Sequence, residues 1–191
     1  ASKFLNLLLN ESVKVQSDNK QTHLSMFLKA KALEEEGKKI IHFEVGEPDF
    51  QPPEEVKTAL EEVYDKGYGK YGSPKGITEL RKALAAGKNT VTPTSEENIM
   101  ICTGARFAVY LAITTLLNPG DEIVVIEPSW PAYKDCALNA GIKVRTIKTT
   151  LETKWEPSIE QINNAINENT KMIILNSPNN PTGKILPRKL L

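Results

Sequence analysis

Met172-Ile173-Ile174-Leu175-Asn176-Ser177-Pro178-Asn179-Asn180-Pro181-Thr182-Gly183 begins with four apolar residues and turns abruptly polar. An unbroken apolar run of this length fits a short strand covered on both faces. Three asparagines, two prolines and a glycine in the next eight positions fit a stiff loop. In open α/β sheets, ligands bind beyond the carboxyl ends of the strands, which is where this loop begins. An asparagine placed there can donate to a phenolate-like oxygen without adding charge. A plain surface loop is the alternative.

Moving outward from that stretch, the same rhythm recurs. Ile99–Cys102, Ile123–Ile126 and Val144–Ile147 read as strands, the second continuously apolar. Between them, Ala105, Ala108, Val109, Ala112, Ile113 and Leu116 form a helical stripe from Ala105 to Leu117, ended by Pro119-Gly120. A second helix is expected over Pro131–Ala140, stopped at Gly141. Ser158 followed by Gln161 is a capping-box signature for a third, carrying Ile159, Ile162 and Ile166. Strands alternating with helices predict an α/β fold with a mainly parallel sheet between helical layers.

Nearer the amino terminus, residues 1–20 read as an arm. Leu24, Phe27, Leu28 and Ala32 mark a helix stopped by Gly37, and Ile40–Val45 reads as β-rich, running into Gly46-Glu47-Pro48-Asp49. Pro52-Pro53 opens a helix with Val56, Ala59, Leu60, Val63 and Tyr64 on one face. A glycine-punctuated loop spans Gly67–Gly76, and a short helix reaches about Ala86. The expected organisation is an arm with a small-domain segment over residues 1–45, then the first part of a large domain over 46–191. There is no internal repeat and no low-complexity segment.

The totals narrow the function classes. The 191 residues carry 24 Lys plus Arg against 24 Asp plus Glu, so the formal charge is zero. That balance gives no support to a nucleic-acid or anionic-membrane partner. Cys102 and Cys136 are too few for a disulfide framework and lack metal-site spacing, so no metal is expected and a reducing compartment fits. No apolar stretch approaches the roughly 20 residues needed to span a bilayer. Leu5, Leu7, Leu8 and Leu9 are too short a cluster for a secretory core. The expected location is cytoplasmic.

Two other strand ends carry candidate chemistry. Thr103-Gly104-Ala105-Arg106 leads directly into a helix, where small residues and first-turn N–H groups suit a phosphate, or form only a tight turn. Glu127-Pro128-Ser129-Trp130-Pro131-Ala132-Tyr133 boxes a tryptophan between prolines. Its ring could stack on a flat ligand or fill a core or domain interface. His23 and His42 match no motif.

These segments together resemble the class I/II, fold-type I aminotransferases, the family of aspartate and aromatic aminotransferases. The resemblance rests on Gly46-Glu47-Pro48-Asp49-Phe50, on Lys70-Tyr71-Gly72 with Gly76 and Leu80-Arg81, on Thr103-Gly104-Ala105, and on Asn176 to Gly183. It implies a large domain of the pyridoxal-phosphate-dependent transferase type, three-layered and here incomplete. The cofactor it implies is pyridoxal 5'-phosphate. The amides of Gly104, Ala105 and Arg106 would cup its phosphate, Trp130 would stack on its pyridine ring and Asn180 would donate to its phenolic oxygen. Tyr71 would reach the phosphate of the neighbouring subunit in a homodimer, and Gly46 would line the substrate α-carboxylate site. Arg106 stands where related acidic-substrate enzymes often have lysine, so its fork could meet a distal carboxylate. A solvent-facing arginine is the alternative.

The same resemblance marks what this chain lacks. The Schiff-base lysine, the aspartate that pairs with the pyridine nitrogen and the arginine that grips the α-carboxylate all lie beyond Asn-Pro-Thr-Gly in the family. No catalytic residue is therefore assigned here. The chain is expected to be a fragment of a longer protein and inactive by itself. The expected activity of the whole is amino transfer between an amino acid and a 2-oxo acid, with an aspartate-like substrate favoured. The alternatives are a lyase or synthase of the same fold, or a non-catalytic regulatory or interaction module. An unrelated nucleotide-binding protein is disfavoured, since neither Gly-rich nucleotide motif is present.

Overall fold

The computed structural model describes residues 23–43, 46–87 and 93–190. The expected arm at residues 1–20 lies outside them, as do Glu44 and Val45. The chain divides into two compact units between Lys70 and Tyr71.

In the first unit, helix α1 spans His23–Glu35, and Gly37 follows it with φ 81°, a left-handed stop that glycine adopts without strain. Helix α2, Glu54–Asp65, starts immediately after Pro53, and Glu54 and Glu55 place negative charge at its positive end. Its apolar stripe of Val56, Leu60, Val63 and Tyr64 is exposed. The β-rich stretch is not a strand over its described residues, Ile40–Phe43. β propensity makes a strand only beside another strand. This segment is tied instead to α1, where His42 Nε2 meets Glu34 Oε1 at 2.8 Å.

The second unit holds helix α3, Thr78–Ala85, helix α4, Ala105–Leu116, strand β1, Glu122–Glu127, helix α5, Ala132–Asn139, strand β2, Lys143–Lys148, helix α6, Ile159–Ala165, and strand β3, Thr170–Ile174. The strands form a parallel sheet in the order β2-β1-β3. As the middle strand, β1 is covered on both faces. Ile123 and Val125 pack with Ile113, Leu117, Cys136, Ala137 and Ile142, while Val124 packs with Ile147 and Ala165. Helices therefore cover the sheet on both sides, as the unbroken apolar run predicts. Each fully buried Val or Ile contributes about 1.5–3 kcal/mol through burial.

Four hydrogen bonds meet at the start of β1. Glu122 is buried and its carboxylate accepts from Arg145 at 2.8 and 3.1 Å, from Asn167 Nδ2 at 2.7 Å and from Thr170 Oγ1 at 3.1 Å. One side chain thereby joins β1 to β2 and β3. The capping box of α6 forms in both directions, Gln161 N–H to Ser158 Oγ and Ser158 N–H to Gln161 Oε1.

Ile99–Cys102 differs from expectation and is not a strand. Ile101 N–H donates to Lys75 O at 2.9 Å, which ties the run to the glycine loop and not to the sheet. Gly76 makes the approach possible, because with φ +95° a Cβ there would lie 2.5 Å from Ile101 Cγ1. The buried guanidinium of Arg81 closes the corner, donating to Gly76 O, Glu96 O and Thr78 Oγ1.

Candidate functional site

Three loops of the second unit meet past the carboxyl ends of β1 and β3. The first is the start of α4. Gly104 is its N-cap, with φ 88° and ψ 160°, and no side chain caps the helix. Its first-turn amides thus lack the side-chain acceptor that usually satisfies them, and they sit at the positive end of the helix dipole. Nothing lies within 4 Å of a Cβ built on Gly104, and Gly104, Ala105 and Arg106 are all exposed. An anion has both donors and room there.

The second loop follows β1. Trp130 is half-buried and meets Tyr133 edge-on, with ring centroids 5.4 Å apart and planes at 89°. The Arg106 guanidinium lies over the indole, 5.6 Å from its centroid, a cation–π contact that joins this loop to the start of α4. A flat ligand ring needs a free indole face, and the guanidinium takes one of the two. Lys134 pairs with Glu127 at the strand end; burial and then the nearby Lys148 hold its pKa below the ordinary lysine value. Burial pushes the Tyr133 hydroxyl up. It does the same to the Cys136 thiol, whose Sγ lies 3.9 Å from Arg106 O.

The third loop follows β3. Asn179 Nδ2 donates to Pro128 O at 3.0 Å and to Thr182 Oγ1 at 2.8 Å, joining this loop to the one that carries Trp130. Asn180 is exposed and its N–H donates to Asn176 Oδ1 at 2.9 Å. Lys184 forms an ion pair with Glu156 at 2.8 Å. A small crevice beneath the loops is lined in part by Ser129, Tyr133, Trp155, Asn176, Asn179 and Lys184.

The structure therefore brings Arg106, which follows Gly104 and Ala105 at the start of α4, against Trp130, and ties the Asn180 loop to the Trp130 loop. Tyr71 is fully exposed at the start of the second unit. Gly46 is exposed and belongs to the first unit. Sequence reasoning missed Asn179, although the doubled Asn179-Asn180 was a visible signal. It also missed Glu156 and Trp155, for which residue order held no signal.

Pyridoxal phosphate presents a phosphate, a flat ring and a phenolic oxygen to its site. A phosphate needs uncapped amides, found at Gly104–Arg106. A flat heteroaromatic ring needs an aromatic face, found at Trp130. A phenolic oxygen needs a neutral donor, and the exposed Asn180 carries one. The residues present fit the group.

Comparison with known proteins agrees. Residues 38–191 match the family described as aminotransferase class I and II. The chain is 37% identical over 165 residues to an aspartate aminotransferase of Thermotoga maritima, an alignment covering 85% of this chain and 44% of that protein. It is 36% identical over 183 residues to an aspartate/prephenate aminotransferase of Thermus thermophilus, covering 94% and 47%. Among solved structures, an aspartate aminotransferase from Thermus thermophilus with maleate superposes with a TM-score of 0.85 at 34% identity, covering 92% of this chain and 47% of that one. An alanine aminotransferase from Pyrococcus furiosus gives 0.85 at 33% identity, covering 94% and 47%. The chain spans about half the length of the curated relatives it matches. With the family pattern covering residues 38–191, the chain belongs to the class I and II aminotransferases, which work with pyridoxal phosphate.

Proposed function

We propose that the complete protein transfers an amino group between an amino acid and a 2-oxo acid, that an acidic, aspartate-like substrate is preferred, and that it acts as a cytoplasmic homodimer. Residues 46–191 then form the first part of its large domain and 1–45 the arm with a small-domain segment. The observation that carries this reading is the meeting of the α4 start, Trp130 and the Asn180 loop in a chain of this family. The Gly104, Ala105 and Arg106 amides hold the phosphate, Trp130 orients the ring and Asn180 donates to the phenolic oxygen. Bound pyridoxal phosphate supplies an electron sink for the bond broken at the substrate Cα. Gly46 lines the α-carboxylate site. Tyr71, fully exposed in one chain, reaches the phosphate held by the neighbouring subunit.

Arg106 supports the acidic preference. Its exposed guanidinium sits beside Trp130, at the edge of the ring site, where it can swing to a distal carboxylate. The test uses the complete gene product with 2-oxoglutarate as acceptor, comparing aspartate with alanine as donor. A charge-assisted hydrogen bond contributes roughly 1.5–3 kcal/mol, so Arg106→Ala is expected to lower kcat/KM for aspartate about 10- to 100-fold. The value for alanine should change little. Equal losses for both donors would refute the substrate assignment. Absence of any bound-cofactor absorbance in the wild-type protein would refute the enzyme reading.

A further inference from the structure

Building on the function proposed above, we propose that Asn179 is a positioning residue that aims Asn180 at the cofactor by locking its loop to the loop of Trp130. Asn180 is exposed, and an exposed carboxamide holds one direction only if its backbone is held. The holding is done next door. Asn179 uses both protons of its side-chain amide, one across the gap to Pro128 O at 3.0 Å and one within its own loop to Thr182 Oγ1 at 2.8 Å. Its own backbone closes the loop, with N–H to Lys184 O at 2.9 Å and C=O accepting from Gly183 N–H at 2.7 Å.

Pro128 lies two positions before Trp130, and Pro131 follows it, so the tryptophan is carried on a stretch with restricted φ. A bond to Pro128 O therefore fixes the phenolic-oxygen donor relative to the stacking ring. Without it, each loop would find its own position, and the two contacts to one cofactor ring would no longer be in register. The Lys184–Glu156 pair fastens the far side of the same loop, at 2.8 Å. Among the described residues its hydrogen bonds run to the segment before α6 and to its own loop, not to the Trp130 loop, which makes it a control for mere loop stability.

The experiment loads the complete gene product with pyridoxal phosphate and follows the pH midpoint of the bound cofactor's absorbance. A donor to the phenolic oxygen favours the deprotonated form, so losing it raises the midpoint. Asn180→Ala is expected to raise it by about one pH unit, equivalent to about 1.4 kcal/mol. Asn179→Ala should raise it in the same direction, as should Asn179→Leu, which keeps the approximate shape and removes the donor without adding a charge. The double variant Asn179→Ala/Asn180→Ala should match Asn180→Ala alone, because Asn179 acts through its neighbour. Lys184→Met should lower the thermal midpoint and leave the pH midpoint in place. If Asn179→Ala does not fold, the near-isosteric Leu variant decides. An unmoved midpoint in the Asn179 variants beside a shifted Asn180→Ala overturns the inference and leaves the function standing, and so do additive shifts in the double variant. An unmoved Asn180→Ala removes the donor assignment and this inference together. A wild-type protein without a cofactor band removes both this inference and the proposed function.

Discussion

At the scale of single residues, Gly104 is the position where backbone and site constrain each other most. Its φ of 88° with ψ 160° lies in a region that essentially only glycine occupies. The space above it is open, so an added methyl would meet no neighbour. Gly104→Ala therefore acts through backbone strain, and we expect it to cost about 1–3 kcal/mol in thermal unfolding. Because the strain tilts the first turn of α4, pyridoxal-phosphate affinity should fall with it. Calorimetry and cofactor titration on the same sample check both. A variant as stable as the wild type would mean the turn relaxes out of its present conformation. The sequence identified Gly104 as small and Trp130 as a candidate ring, but backbone angles and the 5.6 Å contact of Arg106 with that ring are products of the fold. Adjacent residues are likewise hard to tell apart by type: Asn179 and Asn180 are the same amino acid, and only the partners of each side chain separate the brace from the donor.

At the scale of elements, legibility followed burial. β1 was readable because it is the middle strand, and burial on both faces writes itself into residue order as an unbroken apolar run. Ile99–Cys102 carries a similar run and is no strand: Ile101 packs against Gly76 of the glycine loop, while Met100 is left exposed. Pairing needs a neighbour, and residue order does not say where the neighbour is. Helix α6 shows the opposite case, a local rule that needs no tertiary context. With seven residues it is too short to hold together by itself, so its cap matters. Ser158→Ala removes the acceptor for Gln161 N–H at 3.1 Å and is expected to cost about 1 kcal/mol. The partner interaction, Gln161 Nε2 to Lys148 O at 3.2 Å, binds α6 to the end of β2. Chemical denaturation of the Ser158→Ala variant should show a lowered midpoint with an unchanged m-value. A changed m-value would mean that α6 separates from the sheet as a unit.

At the scale of the whole molecule, the sheet is joined at its base by a charge and at its top by the loops of the site. Glu122 is the basal joint, accepting from Arg145, Asn167 and Thr170. Hydrogen bonds from Arg145, and then from Asn167 and Thr170, hold its carboxyl below the ordinary glutamate value of 4.5 against the opposing effect of burial. Glu97 and Glu156 are lowered too, by Lys75 and Lys184 respectively. A carboxyl whose pKa is lower in the folded state releases its proton more readily there than in the unfolded chain. Its stabilising effect is therefore fully present above the unfolded value and disappears as pH falls through the folded one. Stability should hold on the neutral side of pH 4.5 and decline below it. Glu122→Gln keeps the shape but cannot accept from Arg145 as a charge, so the variant should be less stable at neutral pH, and its stability should fall less steeply with acid. Truncation to Ala, which leaves all three donors without their acceptor, should cost about 1–3 kcal/mol at pH 7. Urea midpoints measured from pH 7 down to 3 for wild type and Glu122→Gln decide the matter. Parallel curves would show that the acid sensitivity arises elsewhere, at Glu97 or Glu156, while convergence of the two curves at low pH would assign it to the carboxylate at the base of β1.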